Sequence, residues 1–309
     1  MAMLLQGRLS ACGAAGDPAR WAREHAMTTT EIDYEAEYNN RARVPEHPAI
    51  FERWRAAAQA FREEMAAQGR AELGLGYGRT PRQTIDLFLT GRDAGTVGKL
   101  AVFVHGGYWR SLEPETFSHV ARGLLAHGIS VAVAGYDLCP QVQVGSIIGE
   151  IRQACAHLWR RFEQRMFVYG HSAGGHLAAC ALATDWKALG MPADAVPAAC
   201  AISGVFDLVP LIGISMNQDL RLDLAEARRV SPLLWPAPRG RTLDVIVGAE
   251  ESSEFLRQSR EIAETWAEAG VATRCEEAPG NHFTVLDPLA DPHSATVKRL
   301  AALVEQTLR

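Results

Sequence analysis

The sequence has 309 residues, of which 48% are hydrophobic and 22% are charged, and its formal net charge of -5 accompanies a pI of about 6.1. This composition is typical of a globular protein with a sizeable buried core. It contains no basic stripe with interleaved aromatic residues and no run of roughly 18 apolar residues, so we expect neither a nucleic acid nor a membrane as partner.

The N-terminal residues and the cysteines indicate the compartment. Residues 1–33 are expected to form a poorly ordered extension, and a second methionine at Met27 leaves open whether residues 1–26 belong to the mature protein. The opening MAMLLQGRLSACGAAGD lacks a positive segment followed by an unbroken apolar run, so we predict no signal peptide. Six cysteines, at 12, 139, 155, 180, 200 and 275, show no C-x-x-C spacing, which favours reduced, mostly buried thiols and a cytoplasmic protein.

The first predicted elements are a helix and two strands. Apolar residues recur at helical spacing from Ile50 to Gln68, between Pro48 and Gly69. QTIDLFL then alternates like a half-buried strand, and KLAVFV is a fully apolar strand. The Gly-rich GRDAGTVG between them predicts a hairpin turn.

The rest of the chain alternates between strand and helix patterns. Apolar strands are predicted at GISVAVA, MFVYG, PAACAIS and RTLDVIVG, with a last short strand at VATRCEE and a closing helix that starts at Asp291-Pro292. This alternation predicts an α/β fold in which a mostly parallel central sheet carries helices on both faces, within one domain over residues 34–309. The proline-rich segment 205–240 is predicted to be a cap-like insertion over the sheet edge where ligands bind.

A Gly-x-Ser-x-Gly motif follows the strand MFVYG. Gly170-His171-Ser172-Ala173-Gly174 matches the sharp strand-to-helix turn that exposes a nucleophilic serine. A serine hydroxyl is a weak nucleophile until a base accepts its proton and an acid orients that base. In chain order, folds of this class place the serine first, then the acid, then the histidine.

Candidates for the acid and the base follow the last two predicted strands. Glu251 lies three residues after Gly248, at the end of the strand RTLDVIVG, and is the predicted acid, with Glu250 and Glu254 as alternatives. His282, in the loop GNHFTVLDP, is the predicted base. Its competitor, His293, is expected inside the first turn of the closing helix.

An oxyanion hole is predicted after the strand KLAVFV. The backbone N–H groups of Gly106 and Gly107, in the sequence His105-Gly106-Gly107, can face a substrate because no Cβ intervenes. The N–H of Ala173 is the partner donor. Losing one such donor typically costs on the order of 100- to 1000-fold in rate.

Other histidines and tryptophans are assigned to packing. His105, His171 and His176 have no acidic or cysteine partner at metal-ligand spacing, so we predict hydrogen bonding and packing for them and no metal site. Trp54 and Trp266 lie on helical apolar stripes and are predicted to be core residues.

Together the motifs resemble the kynurenine formamidase (arylformamidase) family of the α/β-hydrolases. The resemblance implies Ser172 as nucleophile, His282 as base and an active-site position for Trp109. The family acid is usually aspartate, where this chain has Glu251. The motifs that carry the resemblance are HGGYW at 105–109, GHSAGGHL at 170–177, SGVFDLVPL at 203–211, SEFLRQS at 253–259 and HFTVLD at 282–287.

The resemblance also implies a reaction, the hydrolysis of N-formyl-L-kynurenine to L-kynurenine and formate in tryptophan degradation, without a metal or organic cofactor. Tyr108, Trp109 and Phe283 are the candidates for the wall of a flat aromatic leaving-group pocket. Arg41 or Asn40 is a candidate for contact with the polar end of the substrate, with a plain surface position as the alternative. Two alternatives stay open: a broad carboxylesterase acting on small acyl or aryl esters, and a non-catalytic binding protein with the same fold. The partner is then a small-molecule substrate. The sequence does not give the oligomeric state, and a homodimer is consistent with base rates.

Overall fold

The apolar runs of the sequence form the middle of one sheet in the computed structural model, which describes residues 32–91 and 97–308. Within these residues the sheet has eight strands in the order β1-β2-β4-β3-β5-β6-β7-β8. The pairings of β1 with β2 and of β2 with β4 are antiparallel, and all others are parallel. The strands are β1 Ala71–Gly76, β2 Thr84–Phe88, β3 Leu100–Val104, β4 Ser130–Ala134, β5 Met166–His171, β6 Ala198–Ile202, β7 Thr242–Gly248 and β8 Ala272–Ala278.

Helices cover both faces of this sheet, as the strand–helix alternation predicts. The α-helices in the described residues are α1 Tyr34–Tyr38, α2 Asn40–Arg43, α3 His47–Ala67, α4 Ala121–Ala126, α5 Val144–Phe162, α6 Ala173–Leu182, α7 Asn217–Leu220, α8 Leu224–Arg229, α9 Ser253–Glu268 and α10 Ala295–Thr307. Short 3-10 helices span Pro114–Val120, Lys187–Leu189, Val209–Gly213, Pro232–Leu234 and Thr284–Ala290. None of the described helices is long and apolar enough to cross a membrane.

Side-chain alternation along β3 divides the core between the two faces. Val102 and Val104 belong to one buried cluster, whereas Ala101 and Phe103 belong to the other. Successive residues of a strand point to opposite faces, so a strand that is covered on both sides must be apolar throughout. All five residues of β3 are buried, which explains the unbroken apolar run in the sequence.

The predicted hairpin between QTIDLFL and KLAVFV is wrong. β2 and β3 are not neighbours, because β4 lies between them and pairs antiparallel with β2 and parallel with β3. A buried apolar strand such as β3 needs a partner on each side, and a parallel partner can arrive only through a long crossover. Residues 92–96 of the Gly-rich link lie outside the described residues.

The closing helix starts later than its sequence predicts. It begins at Ala295, and the Oγ of Ser294 caps it by accepting a hydrogen bond from the N–H of Val297 at 3.0 Å. Asp291 lies in the preceding turn, where its carboxylate accepts from the N–H of His293 at 2.8 Å. The placement of His293 in the first helical turn is therefore wrong, because Ser294, and not Asp291, is the N-cap of this helix.

The described residues include the predicted insertion but only two residues of the predicted N-terminal extension. Between β6 and β7 the structure has α7, α8 and two 3-10 helices, so segment 205–240 is a run of short helices. The described residues from Tyr34 onward form one compact unit. The predicted extension, residues 1–33, lies outside the described residues apart from Ile32 and Asp33, and so does Cys12. Of the other cysteines, 139, 155, 180 and 200 are buried as predicted, and Cys275 is exposed.

Candidate active site

Ser172 occupies a sharp turn between β5 and α6. Its backbone has φ 57° and ψ -119°, a strained conformation of the kind that gathers at functional sites. A Cβ on Gly170 would lie 2.2 Å from the carbonyl oxygen of Gly174, and one on Gly174 would lie 1.9 Å from that of Val104. The two glycines of the motif are therefore sterically required, because the start of α6 packs directly on the sheet.

Glu251 and His282 form a buried pair at the carboxyl edge of the sheet. The Nδ1 atom of His282 lies 2.6 Å from Oε2 of Glu251, and their side chains are only 4% and 0% exposed. The other carboxylate oxygen accepts from the N–H of Gly248 at 2.7 Å and from the hydroxyl of Ser203. A carboxylate at Nδ1 keeps the proton on that nitrogen, which leaves Nε2 as the acceptor.

The two alternative glutamates have other surroundings. Glu250 is exposed, and its backbone N–H donates to the carbonyl of Gly280. Glu254 is buried and accepts a hydrogen bond from the hydroxyl of Tyr38 at 2.7 Å, and it pairs with Arg257. Of the three candidates for the acid, the structure brings Glu251 to His282.

Aromatic rings and a second histidine fix the position of His282. Its ring lies 4.7 Å from that of Phe255 and 4.8 Å from that of His171, measured between centroids. The Nε2–H of His171 donates to the backbone carbonyl of His282 at 2.7 Å. Burial and the neighbouring His282 ring lower the pKa of His171 well below its ordinary value, so His171 stays neutral and keeps this bond.

Ser172 and His282 line the same cavity. In the described part of the chain, neither the hydroxyl of Ser172 nor Nε2 of His282 hydrogen-bonds to another protein group. Both atoms are thus available to a reacting group in the cavity.

The glycines at 106 and 107 bring the backbone after β3 against the serine turn. A Cβ on Gly106 would lie 2.9 Å from the carbonyl oxygen of His171 and 3.0 Å from the Cβ of Ser172. Gly107 has φ 120°, and a Cβ there would lie 2.1 Å from the carbonyl oxygen of Ser111. Across residues 32–91 and 97–308, no acceptor bonds the N–H groups of Gly106, Gly107 or Ala173. These donors can serve an anion beside Ser172.

The cavity has a buried floor and an exposed mouth, and its volume is about 90 Å³. Ser172, His171 and His282 are buried, whereas Arg41 and Ser215 are exposed. The remaining lining residues are the aromatic or apolar Phe51, Trp54, Tyr108, Leu112, Phe117, Met216 and Phe283, and Asn39, Asn40, Gly107, Arg110 and Ser111.

Trp109 does not line this cavity, so its predicted place in the leaving-group wall is wrong. Its side chain is fully buried and packs edge-on against His176, with ring centroids 5.0 Å apart. Gly107, Tyr108 and Trp109 all have positive φ, and this turn directs Tyr108 to the cavity and Trp109 to the core. Trp54, by contrast, is buried as predicted but also lines the cavity.

Sequence patterns did not reveal two residues that support the site. Ser203 directly follows β6 and binds the carboxylate of Glu251. Its place after a central strand was the available signal, because functional side chains gather at the carboxyl ends of parallel strands. Tyr38 anchors the N-terminal segment: its hydroxyl bonds Glu254, and its carbonyl accepts from the hydroxyl of Tyr108. No sequence signal marks that contact.

Comparison with known proteins agrees with this architecture. The family defined by the alpha/beta hydrolase fold matches residues 101–219. Kynurenine formamidase from Danio rerio is 27% identical over 236 residues, which cover 74% of this chain and 80% of the relative. The enzyme of the same name from Drosophila melanogaster is 29% identical over 249 residues, covering 76% and 82%.

A solved structure extends the similarity. The crystal structure of a proposed thioesterase from Silicibacter sp. tm1040 is 34% identical and superposes with a TM-score of 0.75, covering 89% of this chain and 100% of that one. The chain belongs to the kynurenine formamidase-like α/β-hydrolases. In this hydrolase, residues 32–91 and 97–308 contain no group of three His, Cys, Asp or Glu side chains that could hold a metal ion.

Proposed function

We propose that this hydrolase cleaves the formamide of N-formyl-L-kynurenine to L-kynurenine and formate, a step of tryptophan degradation. Ser172 acts as nucleophile, His282 as general base and Glu251 as the acid that orients it. The observation that carries the proposal is the 2.6 Å contact between Nδ1 of His282 and Glu251, beside the cavity that Ser172 lines. The named kynurenine formamidases, similar over about three quarters of the chain, support the choice of substrate.

Acylation follows from this arrangement. The Oγ of Ser172 attacks the formyl carbon while Nε2 of His282 takes the hydroxyl proton. The N–H groups of Gly106, Gly107 and Ala173 stabilise the oxyanion of the tetrahedral intermediate. The C–N bond then breaks as His282 returns the proton to the departing arylamine, which leaves a formyl ester on Ser172.

Deacylation uses the same groups. His282 takes a proton from a water molecule, whose oxygen attacks the formyl ester, and the oxyanion forms again at the same three N–H groups. The ester bond breaks, His282 passes the proton to Oγ of Ser172, and formic acid leaves and ionises to formate. Glu251 stabilises the transient imidazolium in both halves of the reaction.

The cavity supports a small acyl group. Its volume of about 90 Å³ is well below the roughly 300 Å³ at which pockets for drug-sized ligands begin. A formyl group fits beside Ser172, whereas the leaving group must extend toward the mouth. Tyr108 and Phe283 line this space and are the proposed contacts of the aromatic ring.

The proposed substrate is tested with one preparation of the protein. Formate release from N-formyl-L-kynurenine is measured beside the hydrolysis of phenyl acetate. We expect both to be cleaved, with the higher kcat/KM for the formamide. Ser172→Ala should lower kcat/KM for both substrates by roughly 1000-fold or more. Ser146→Ala, at an exposed position on α5, is the matched control and should change neither.

The alternatives give different results in the same assay. Cleavage of phenyl acetate alone would make the protein a carboxylesterase and overturn the formamidase proposal. Binding of N-formyl-L-kynurenine without cleavage of either compound would indicate a non-catalytic binding protein.

A further inference from the structure

The charged side chains that line the active-site cavity are all basic. They are Arg41 on α2 and Arg110 in the loop after β3, and no carboxylate side chain is among the lining residues in the described part of the chain. The floor, by contrast, is formed by Ser172 and histidines. A leaving group that passes through the mouth therefore meets positive charge.

Within the described residues, one of the two guanidinium groups has a carboxylate partner and the other has none. Arg110 pairs with Asp219 at 2.5 Å. Among the described residues, Arg41 hydrogen-bonds only to the hydroxyl of Ser111, at 3.2 Å, and its Cζ lies 5.8 Å from the centroid of the Phe51 ring. No acidic side chain in residues 32–91 or 97–308 forms an ion pair with Arg41.

The surroundings of Arg41 favour an anionic partner. Although the side chain of Arg41 is exposed at the mouth, the protein around its guanidinium and repulsion from Arg110 lower the pKa of Arg41. A carboxylate at this point would relieve both effects. Charge-assisted, bidentate bonds are the usual way in which arginine binds carboxylates.

A wall of rings connects Arg41 to the catalytic base. The Phe283 ring lies 5.4 Å from that of His282, and the Phe51 ring lies 5.1 Å from that of Phe283. The guanidinium of Arg41 faces Phe51 at the exposed end of this wall. An aromatic leaving group that lies along these rings would carry its substituents toward Arg41.

We propose that Arg41 is a specificity-determining residue that binds a carboxylate on the leaving group, so that the site selects aryl formamides with an anionic side chain over neutral ones. This inference rests on the proposed function, because it takes the cleaved bond to be a formamide. The recognition of charge is independent of that bond.

A matched pair of substrates tests this proposal. ortho-Formamidophenylpropanoate and its carboxamide have nearly the same shape, but the carboxamide is neutral and carries an NH2 donor in place of one carboxylate oxygen. We measure kcat/KM for both with the wild type and with Arg41→Ala. We expect Arg41→Ala to lose roughly 10- to 100-fold for the carboxylate, mainly through KM, because charged hydrogen bonds have this magnitude. The carboxamide should change by less than about twofold, and Arg41→Lys should recover part of the loss.

Arg55→Ala is the matched control for the loss of one positive charge. Arg55 is exposed on α3, pairs with Glu52 and lies outside the cavity lining. We expect this variant to treat both substrates as the wild type does. Equal losses for the two substrates in Arg41→Ala, or no loss for either, would overturn the proposal.

The acetyl esters of the two corresponding phenols, ortho-hydroxyphenylpropanoate and its carboxamide, separate this proposal from the proposed function. If the wild type cleaves the esters but not the formamides, the formamidase proposal fails. The Arg41 proposal then stands only if the carboxylate-bearing ester is preferred and Arg41→Ala removes that preference. A preference that Arg41→Ala leaves intact overturns it.

Discussion

The carboxylate of Glu251 lies 2.6 Å from Nδ1 of His282, although the two residues are 31 positions apart in the chain. Gly248 and Ser203 hold the other carboxylate oxygen. The acid is therefore fixed from three directions before a substrate enters. The expected mechanism depends on this rigidity, because the histidine must keep its proton on Nδ1.

Replacing Glu251 by glutamine should reduce kcat for aryl acetate hydrolysis by roughly 1000- to 10000-fold, because the amide favours the wrong tautomer of His282. Glu250→Gln changes an exposed neighbour and should leave kcat unchanged. The measurement is steady-state kinetics on both variants. A large loss in Glu250→Gln with none in Glu251→Gln would contradict the assignment of the acid.

Ser203 should act as a positioning residue. Ser203→Ala removes one donor to Glu251, and we expect kcat to fall by about 10-fold, with KM nearly unchanged, since a hydrogen bond to a charged group contributes roughly 1.5–3 kcal/mol. Ser203→Cys keeps a weak donor on an unbranched side chain of similar size, which suits the positive φ of this buried position, and should recover part of the activity. If KM and kcat both changed, or if the cysteine variant were no better than the alanine variant, Ser203 would not act as a positioning residue.

Any side chain at position 106 should lower the activity. Gly106→Ala places a methyl group 2.9 Å from the carbonyl oxygen of His171 and should shift the oxyanion donors, lowering kcat by about 100-fold or more. Gly213→Ala is the control, because a Cβ there meets nothing within 4 Å. Thermal unfolding of both variants separates a local effect from misfolding. An active Gly106→Ala variant would contradict the predicted oxyanion hole.

Buried neutral histidines should make the fold sensitive to acid. Burial lowers the pKa of His105 to about 3 and that of His176 to about 4. Between the ordinary value of about 6.5 and these lower values, the unfolded chain binds protons that the folded chain does not. The free energy of unfolding should therefore fall as pH decreases through this range, by at most about 1.4 kcal/mol per pH unit and histidine.

Urea unfolding of the wild type and His176→Gln at pH 7, 6 and 5 measures this effect. Glutamine can still donate to the carbonyl of Val230, which His176 Nε2 bonds at 2.7 Å, but it does not titrate. The variant should lose less stability on acidification than the wild type. Equal losses, or a titration of the His176 ring near pH 6.5 by NMR, would contradict the prediction.

Local patterns predicted the strands and the turn that carries Ser172, because apolar runs and the Gly-x-Ser-x-Gly turn are properties of neighbouring residues. Pairing between strands is non-local, so the position of β4 between β2 and β3 could not be read from the link that joins them. The core position of Trp109 depends on three successive positive φ angles. Ser203 and Tyr38 act on residues 48 and 216 positions away, beyond the reach of any spacing rule.

The most direct test is a single-turnover reaction of the purified enzyme with N-formyl-L-kynurenine, quenched with acid and followed by mass spectrometry of the peptide that contains Ser172. We predict a transient increase equal to one formyl group on Ser172, followed by stoichiometric formate, and neither in Ser172→Ala. Formate released at the same rate by Ser172→Ala, or a formyl group found on another residue, would contradict the account.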